Sequence, residues 1–194
     1  MKILLISGST KAGGATERAV AEATDVFKKS GVSYEIFNLY SEPITTCTGC
    51  GACRESDGCI YDDAATRLAD ICADFDGYIF FTPVHYGGAS GAIKTAMSRL
   101  FYSKKKCLEY KPAAAVAVSR RAGNITAIEE ITRFFYFASM PVVTGTYPGV
   151  VYGTSQEAVE LDTEGLRTVR GIAENMLWLL RCIEAGRSVG INPR

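Results

Sequence analysis

Lys2-Ile3-Leu4-Leu5-Ile6-Ser7 runs directly into Gly8-Ser9-Thr10-Lys11-Ala12-Gly13-Gly14-Ala15-Thr16, and then Ala19, Val20, Ala23, Val26 and Phe27 recur at helical spacing before Gly31. The first six residues form a short, nearly continuous apolar run, the pattern of a strand buried on both faces of a parallel sheet. The recurring apolar positions predict a helix from near Ala15 to about Ser30, stopped by Gly31. A strand, a glycine-rich loop and a helix start in that order aim free N–H groups and a positive helix end at one point. That is an anion site.

The kind of anion can be narrowed. Gly8 and Gly13 fit a nucleoside-triphosphate loop, but Gly14-Ala15 stand where lysine and a hydroxyl residue are required. The dinucleotide pattern G-x-G-x-x-G is absent, and the next strand ends at Asn38 rather than at an acid. What remains is hydroxyls at Ser9, Thr10 and Thr16, a cation at Lys11, and Ala15 in the first helical turn. This set suits a terminal phosphate monoester such as that of FMN. The plain alternative is a helix entry with no ligand.

Outward from this unit, residues 33–39 alternate and predict a second strand at an edge, residues 76–82 a third, 113–119 a fourth and 141–144 a fifth. Helices are expected from Asp62-Asp63 to about Ala73, from about Ser90 to Tyr102, over 126–139 and from about Thr163 to Ala185. Residues 147–153 read as a loop or short edge strand, and 187–194 as a mobile tail. Repeats, low-complexity tracts and linkers are absent. Strands alternating with helices give an α/β, flavodoxin-like three-layer sandwich, with a five-stranded parallel sheet of order 2-1-3-4-5 in one domain spanning 1–194.

In such a sheet, ligands bind at the carboxyl edge where strand order reverses. The third strand ends there in Thr82-Pro83-Val84-His85-Tyr86-Gly87-Gly88-Ala89-Ser90. Pro83 and Gly87 stiffen and expose backbone, and Val84, His85 and Tyr86 offer surface to a planar ring. His85 is the only histidine, and it reads as structural or ring-adjacent rather than as a general base. The fourth strand ends in Ser119-Arg120-Arg121-Ala122-Gly123-Asn124, whose arginines suit an anionic reduced flavin or the phosphates of a pyridine nucleotide, or are surface arginines before a helix. Lys104-Lys105-Lys106 reads as a solvated turn, with docking of an acidic electron donor as the alternative. Phe134, Phe135, Tyr136 and Phe137 exceed what one packed face needs, which points to a subunit contact.

After the second strand comes Cys47-Thr48-Gly49-Cys50-Gly51-Ala52-Cys53-Arg54-Glu55-Ser56-Asp57-Gly58-Cys59, with spacing C-x2-C-x2-C-x5-C, in a loop of about residues 43–61. Gly49, Gly51 and Gly58 allow the tight curling that ligands two residues apart require. Four thiolates so placed suit one [4Fe-4S] cluster with Cys47, Cys50, Cys53 and Cys59 as its ligands. Structural zinc prefers two knuckles well apart, and a disulfide framework has no secretory signal to support it. Redox-active or merely free thiols are the remaining reading.

Twenty-one basic and twenty-one acidic residues cancel, so charge gives no case for nucleic acid or a membrane surface. No apolar run is long enough to span a bilayer. The chain opens on a strand-like run, so no targeting segment or secretory signal is expected with its seven cysteines. A reducing cytoplasm is the expected location.

These residues resemble the iron–sulfur flavoproteins within the NAD(P)H-dependent FMN reductase group. Gly8 to Thr16 is similar to the family loop G-S-P-R-x-x-G-N-T, with Lys11 for arginine and Ala15 for asparagine. Thr82-Pro83-Val84-His85-Tyr86-Gly87 resembles S-P-V-Y-x-G, with His85 in place of a tyrosine. Gly91-Ala92-Ile93-Lys94 to Arg99 resembles G-x-x-K-x-x-x-D-R, with Ser98 replacing the aspartate, and Asp162-Thr163-Glu164-Gly165 resembles the family entry to the last helix. The four cysteines match the compact cluster motif of the iron–sulfur members. The resemblance implies a flavin-dependent oxidoreductase that passes electrons between a [4Fe-4S] cluster and FMN to a small acceptor such as a quinone, flavin or oxygen species. The donor is a ferredoxin-like protein or NAD(P)H. Ser9, Thr10, Lys11, Ala15, Thr16, Pro83, Val84, His85, Tyr86, Gly87, Ser119, Arg120 and Gly123 would hold FMN. No side chain need act as nucleophile, and one histidine leaves no Ser–His–Asp set. A homo-oligomer, dimer or tetramer, would bring one subunit's cluster near another's flavin. Two alternatives stand beside this reading: a cluster-free NAD(P)H-dependent FMN or quinone reductase, and a zinc-knotted binding module without turnover.

Overall fold

The computed structural model describes residues 1–56 and 58–193, with Ser41 described by its backbone. Strand β1 (Lys2–Ser7) lies between β2 (Ser33–Asn38) and β3 (Gly77–His85), and β5 (Ala113–Ser119) and β6 (Gly149–Tyr152) continue the parallel sheet beyond β3. The parallel order β2-β1-β3-β5-β6 has the expected topology once the two-residue β4 (Gly88–Ala89) is set apart, because β4 pairs antiparallel with β3 as a small hairpin.

The side-chain period of two divides the core into two layers. Leu4 and Ile6 point with Tyr78 and Phe80 towards α2 (Ala64–Ile71), α3 (Gly91–Leu108) and α4 (Asn124–Phe137). Ile3 and Leu5 point with Ile79 and Phe81 towards α1 (Ala15–Lys29) and α6 (Thr163–Ser188). Ile3, Leu4, Leu5 and Ile6 are all fully buried, which is why the opening run shows no polar alternation. Ala113, Ala115 and Ala117 of β5 lie in the first layer, and their small side chains leave room for rings. Phe80 and Phe135 fill it with centroids 5.4 Å apart.

Several boundaries differ from the sequence reading. Residues 141–144 do not form the fifth strand: Pro141 has no N–H, and the segment gives only a bridge between Val142 and Ala113, with Val143 N–H donating to Ala113 O at 2.8 Å. The fifth parallel strand is β6, the stretch read as a loop or short edge strand. Its Gly149 lies so close to β5 that a Cβ would fall 2.4 Å from Ala115 O. Strand β3 runs to His85 because β5 pairs with it as far as Pro83 and β4 beyond. Helix α3 continues through Lys104-Lys105-Lys106 instead of turning there; Lys104, at φ −127°, marks an interruption inside it. Helix α6 reaches Ser188, and a short helix α5 (Gln156–Glu160), capped by the Ser155 hydroxyl, precedes it. No helix among the described residues is long and apolar enough to cross a membrane.

Candidate functional site

The parallel strands deliver the loops after β1, β2, β3 and β5 to one carboxyl edge. The β1 loop is drawn tightly to its neighbours. Gly8 N–H donates to Phe81 O at 2.7 Å, and Ser90 Oγ donates to Gly8 O at 2.8 Å. A side chain at Gly8 would meet Ile93 Cβ at 2.7 Å, so only glycine fits there. Ser9 closes the turn: its hydroxyl donates to Lys11 O at 2.8 Å, leaving Thr10 and Lys11 exposed on the rim. Thr16 is buried and Ala15 half-buried in the first turn of α1. Gly14, the N-cap, brings no side chain to the helix start, so the first-turn N–H groups have no side-chain cap. An internal carboxylate already uses part of this loop, since Gly13 N–H donates to Glu17 Oε2 at 2.8 Å. An anion therefore fits the donor set.

The second wall comes from the β3–β4 hairpin. Thr82 Oγ1 accepts from Ser90 N–H at 2.9 Å and donates to Pro83 O at 2.9 Å, fixing the strand end against the start of α3. Pro83 and Val84 are half-buried, and His85, Tyr86 and Gly87 are exposed at the tip. Tyr86 (φ 49°) and Gly87 (φ 83°) both take left-handed backbone. Glu130 of α4 holds the return strand by accepting from Ala89 N–H at 2.8 Å, and it pairs with Lys94 at 3.4 Å. The third wall is the loop after β5. Arg120 is exposed, while the buried Ser119 hydroxyl donates to Asn124 Oδ1 at 2.6 Å and is thereby committed to the start of α4. Gly123 (φ 92°) packs on the hairpin: a Cβ there would lie 2.7 Å from Gly87 Cα and 2.9 Å from Val84 Cγ1. The structure thus assembles the three predicted loops along one rim. Glu17 and Glu130 were not singled out from sequence, and their positions in otherwise ordinary helix patterns carried no signal.

The cysteine loop follows β2 at the same edge. Gly49 (φ 69°) and Gly51 (φ 79°) take left-handed turns, the freedom for which glycine was read there. All four thiols are free, with Cys47 and Cys50 exposed and Cys53 and Cys59 half-buried. Among the described residues no three His, Cys, Asp or Glu side chains converge as metal ligands, and Asp57 of this loop lies outside those residues. The soft-donor chemistry matches a thiolate-bound group, while the convergence itself is absent.

The feet of the loop are fixed by a polar knot under it. Asp63 caps α2 by accepting from Ala65 N–H at 3.0 Å, and it also takes Thr45 N–H at 2.9 Å and the Arg99 guanidinium. Arg99 donates further to Thr45 O at 3.1 Å, Tyr61 O at 3.2 Å and Thr66 Oγ1 at 2.5 Å. Burial opposes both charges, but their pairing and the backbone donors on Asp63 outweigh it. The Asp63 carboxyl is held below the usual carboxylate range, and Arg99 is raised above ordinary arginine. An open cleft of about 510 Å³ lies between the phosphate-type loop (Ser9, Thr10), the near foot of the cysteine loop (Tyr40, Pro43, Ile44) and the first turn of α3.

A doubly wound parallel sheet with an uncapped anion loop at its carboxyl edge defines the class of α/β proteins that bind phosphate-bearing ligands there. The family model for NADPH-dependent FMN reductase matches residues 1–154, and the chain belongs to that family. It is 30% identical to iron-sulfur flavoprotein MJ1083 of Methanocaldococcus jannaschii over 195 residues, covering 95% of this chain and 100% of the relative. It is also 30% identical to an iron-sulfur flavoprotein of Methanosarcina thermophila over 193 residues, covering 96% and 99%. Among solved structures, FerB, an NAD(P)H:acceptor flavoenzyme of Paracoccus denitrificans, superposes with TM-score 0.70 at 13% identity over 93% of this chain and 97% of that one. A flavodoxin from the domain Archaea superposes with TM-score 0.59 at 15% identity, covering 91% and 99%. The chain is a flavin-dependent oxidoreductase.

Proposed function

We propose that this chain is an electron-transfer flavoprotein, one FMN-binding unit over residues 1–194 that carries a [4Fe-4S] cluster on its cysteine loop. When bound, the two groups supply stepwise one-electron exchange and two-electron storage, which no side chain can provide. The carrying observation is that four free thiols with cluster spacing share a sheet edge with the flavin loops, in a chain similar over its whole length to proteins named iron-sulfur flavoproteins.

The residues divide the work. Ser9, Thr10, Lys11, Ala15 and Thr16 bind the FMN phosphate through N–H groups, hydroxyls and one cation. Pro83, Val84, His85, Tyr86 and Gly87 flank the ring, and Ser119, Arg120 and Gly123 close the far side. Ser119 acts through its backbone, because its hydroxyl serves Asn124. Cys47, Cys50, Cys53 and Cys59 supply thiolates and gather on metal binding, since ligand assembly and loop ordering are one event in sites of this kind. Electrons enter from a ferredoxin-like donor or NAD(P)H and leave to a small acceptor. Tyr136 and Phe137, 66% and 81% exposed at the end of α4, suit a subunit contact of a homo-oligomer.

Glu17 should restrain flavin binding, because its carboxylate holds Gly13 N–H where a dianion must come close. Glu17→Gln is expected to tighten FMN binding by about two- to fivefold, the size of one charge at a helix start. Fluorescence titration of the flavin-free protein reads this directly, and unchanged or weaker binding would place the phosphate elsewhere.

The match to the family model for NADPH-dependent FMN reductase supports a second reading, a cluster-free NAD(P)H-dependent FMN or quinone reductase. Anaerobic rapid mixing separates the two. The proposal predicts that a reduced iron–sulfur donor bleaches the flavin faster than NADPH does, and that removing iron abolishes this advantage. Fast bleaching by NADPH in iron-free protein, with no effect of the iron–sulfur donor, would establish the second reading.

A further inference from the structure

Arg99 is 3% exposed and uses four acceptors, yet its Nε–H is buried and has no hydrogen-bond partner among the described residues. A buried guanidinium N–H without an acceptor is costly, and such atoms call for an explanation. Its surroundings offer one. Two of its acceptors are Thr45 O, two residues before Cys47, and Tyr61 O, two residues after Cys59. Arg99 therefore clamps both feet of the cysteine loop. Cys59, after Asp63, is among the groups that raise the Arg99 guanidinium, which lies 5.4 Å from the centroid of the Tyr61 ring. One turn further along α3, the Tyr102 hydroxyl accepts from Arg54 Nη2 at 2.5 Å, so the loop is seated on α3 at two points.

We propose that Arg99 is the positioning residue of the cluster, with its Nε–H donating to sulfur at Cys59 and its charge lying beside the thiolate-bound group. This rests on the cluster reading and goes beyond it by assigning a residue that is not a ligand. The acceptor missing in the thiol form is supplied once Cys59 is a metal thiolate, because a thiolate sulfur accepts far better than a thiol. Hydrogen bonds and positive charge at cluster sulfur favour the reduced form, which carries one more negative charge. Arg99 should thus raise the cluster potential and slow its loss. Asp63 balances the guanidinium from the opposite side.

The test compares anaerobically reconstituted wild type, Arg99→Lys, and the double variant Arg99→Gln/Asp63→Asn. Arg99→Lys keeps a cation opposite Asp63 but has no Nε–H fork. The double variant removes both charges together, so no buried charge is stranded if the lysine variant fails to fold. Iron, sulfide and FMN per chain, the rate of iron loss in air, the cluster's EPR spectrum and its midpoint potential are measured. With FMN unchanged, both variants are expected to lose iron about tenfold faster or more, the usual effect of removing an outer-sphere partner, and to shift the potential to more negative values. A merely structural arginine would not move the potential. Wild-type potential and iron retention in both variants would overturn the assignment of Arg99 alone. Failure of the wild type to take up iron would overturn the cluster reading and this inference together.

Discussion

Cys50→Ser is expected to strip the protein of iron and leave its flavin in place. Cys50 is exposed between two glycines at positive φ, so its replacement costs little stability. Its chemistry is another matter. A hydroxyl is a poor ligand for cluster iron, and removing one of four thiolates leaves three ligands on a loop that is not held in ligand geometry. Iron should fall from roughly four atoms per chain to below one. The phosphate loop and hairpin are built on other elements and share no hydrogen bond with Cys50, so FMN should stay near one per chain. Iron content unchanged in the variant would remove this loop from the cluster assignment.

Gly123→Val should do the reverse. At φ 92° a β-branched residue is strained, and its Cβ would fall 2.7 Å from Gly87 Cα, a backbone atom that cannot step aside cheaply. Gly87 is itself at φ 83° at the hairpin tip, so the clash pushes apart the two loops that would flank the flavin ring. Strain of about 2–3 kcal/mol drawn from binding corresponds to a loss of roughly 30- to 150-fold in FMN affinity. Gly123 is the N-cap of α4 and belongs to a different element from the cysteine loop, where iron should be retained. Equilibrium dialysis of FMN against the variant reads the effect. Affinity within a few-fold of wild type would show that the ring does not lie between these loops. Together, the two variants separate one site from the other in a single chain.

The sheet and its rim were legible because the signals there are local. The Lys2–Ser7 run, the glycines after it and the small residues of Ala113–Ser119 state their burial directly. The carboxyl edge then follows from topology, and with it the place of Pro83–Gly87 and Arg120–Gly123. What stayed hidden depends on partners distant in sequence. Val142 and Val143 have strand composition, but only Val143 N–H reaches β5, and the ladder resumes at Gly149, where the missing side chain allows close approach to Ala115. Asp63 was recognisable as a helix cap, but its pairing with Arg99, 36 positions away, was not. Arg99 itself lies three residues after Ala96, on the margin of an apolar stripe, where an arginine usually reaches solvent. Glu17 lies in the first turn of α1, and only the loop's curl shows that it occupies Gly13 N–H. The cysteine spacing was plain, and the left-handed turns at Gly49 and Gly51 agree with it. The gathering of the thiols depends on what they bind.

Stoichiometry tests the central claim most directly. Protein purified without oxygen should contain about four irons and four acid-labile sulfides per chain, with one FMN and no zinc. FMN without iron, or zinc in place of iron on the four cysteines, would contradict the account.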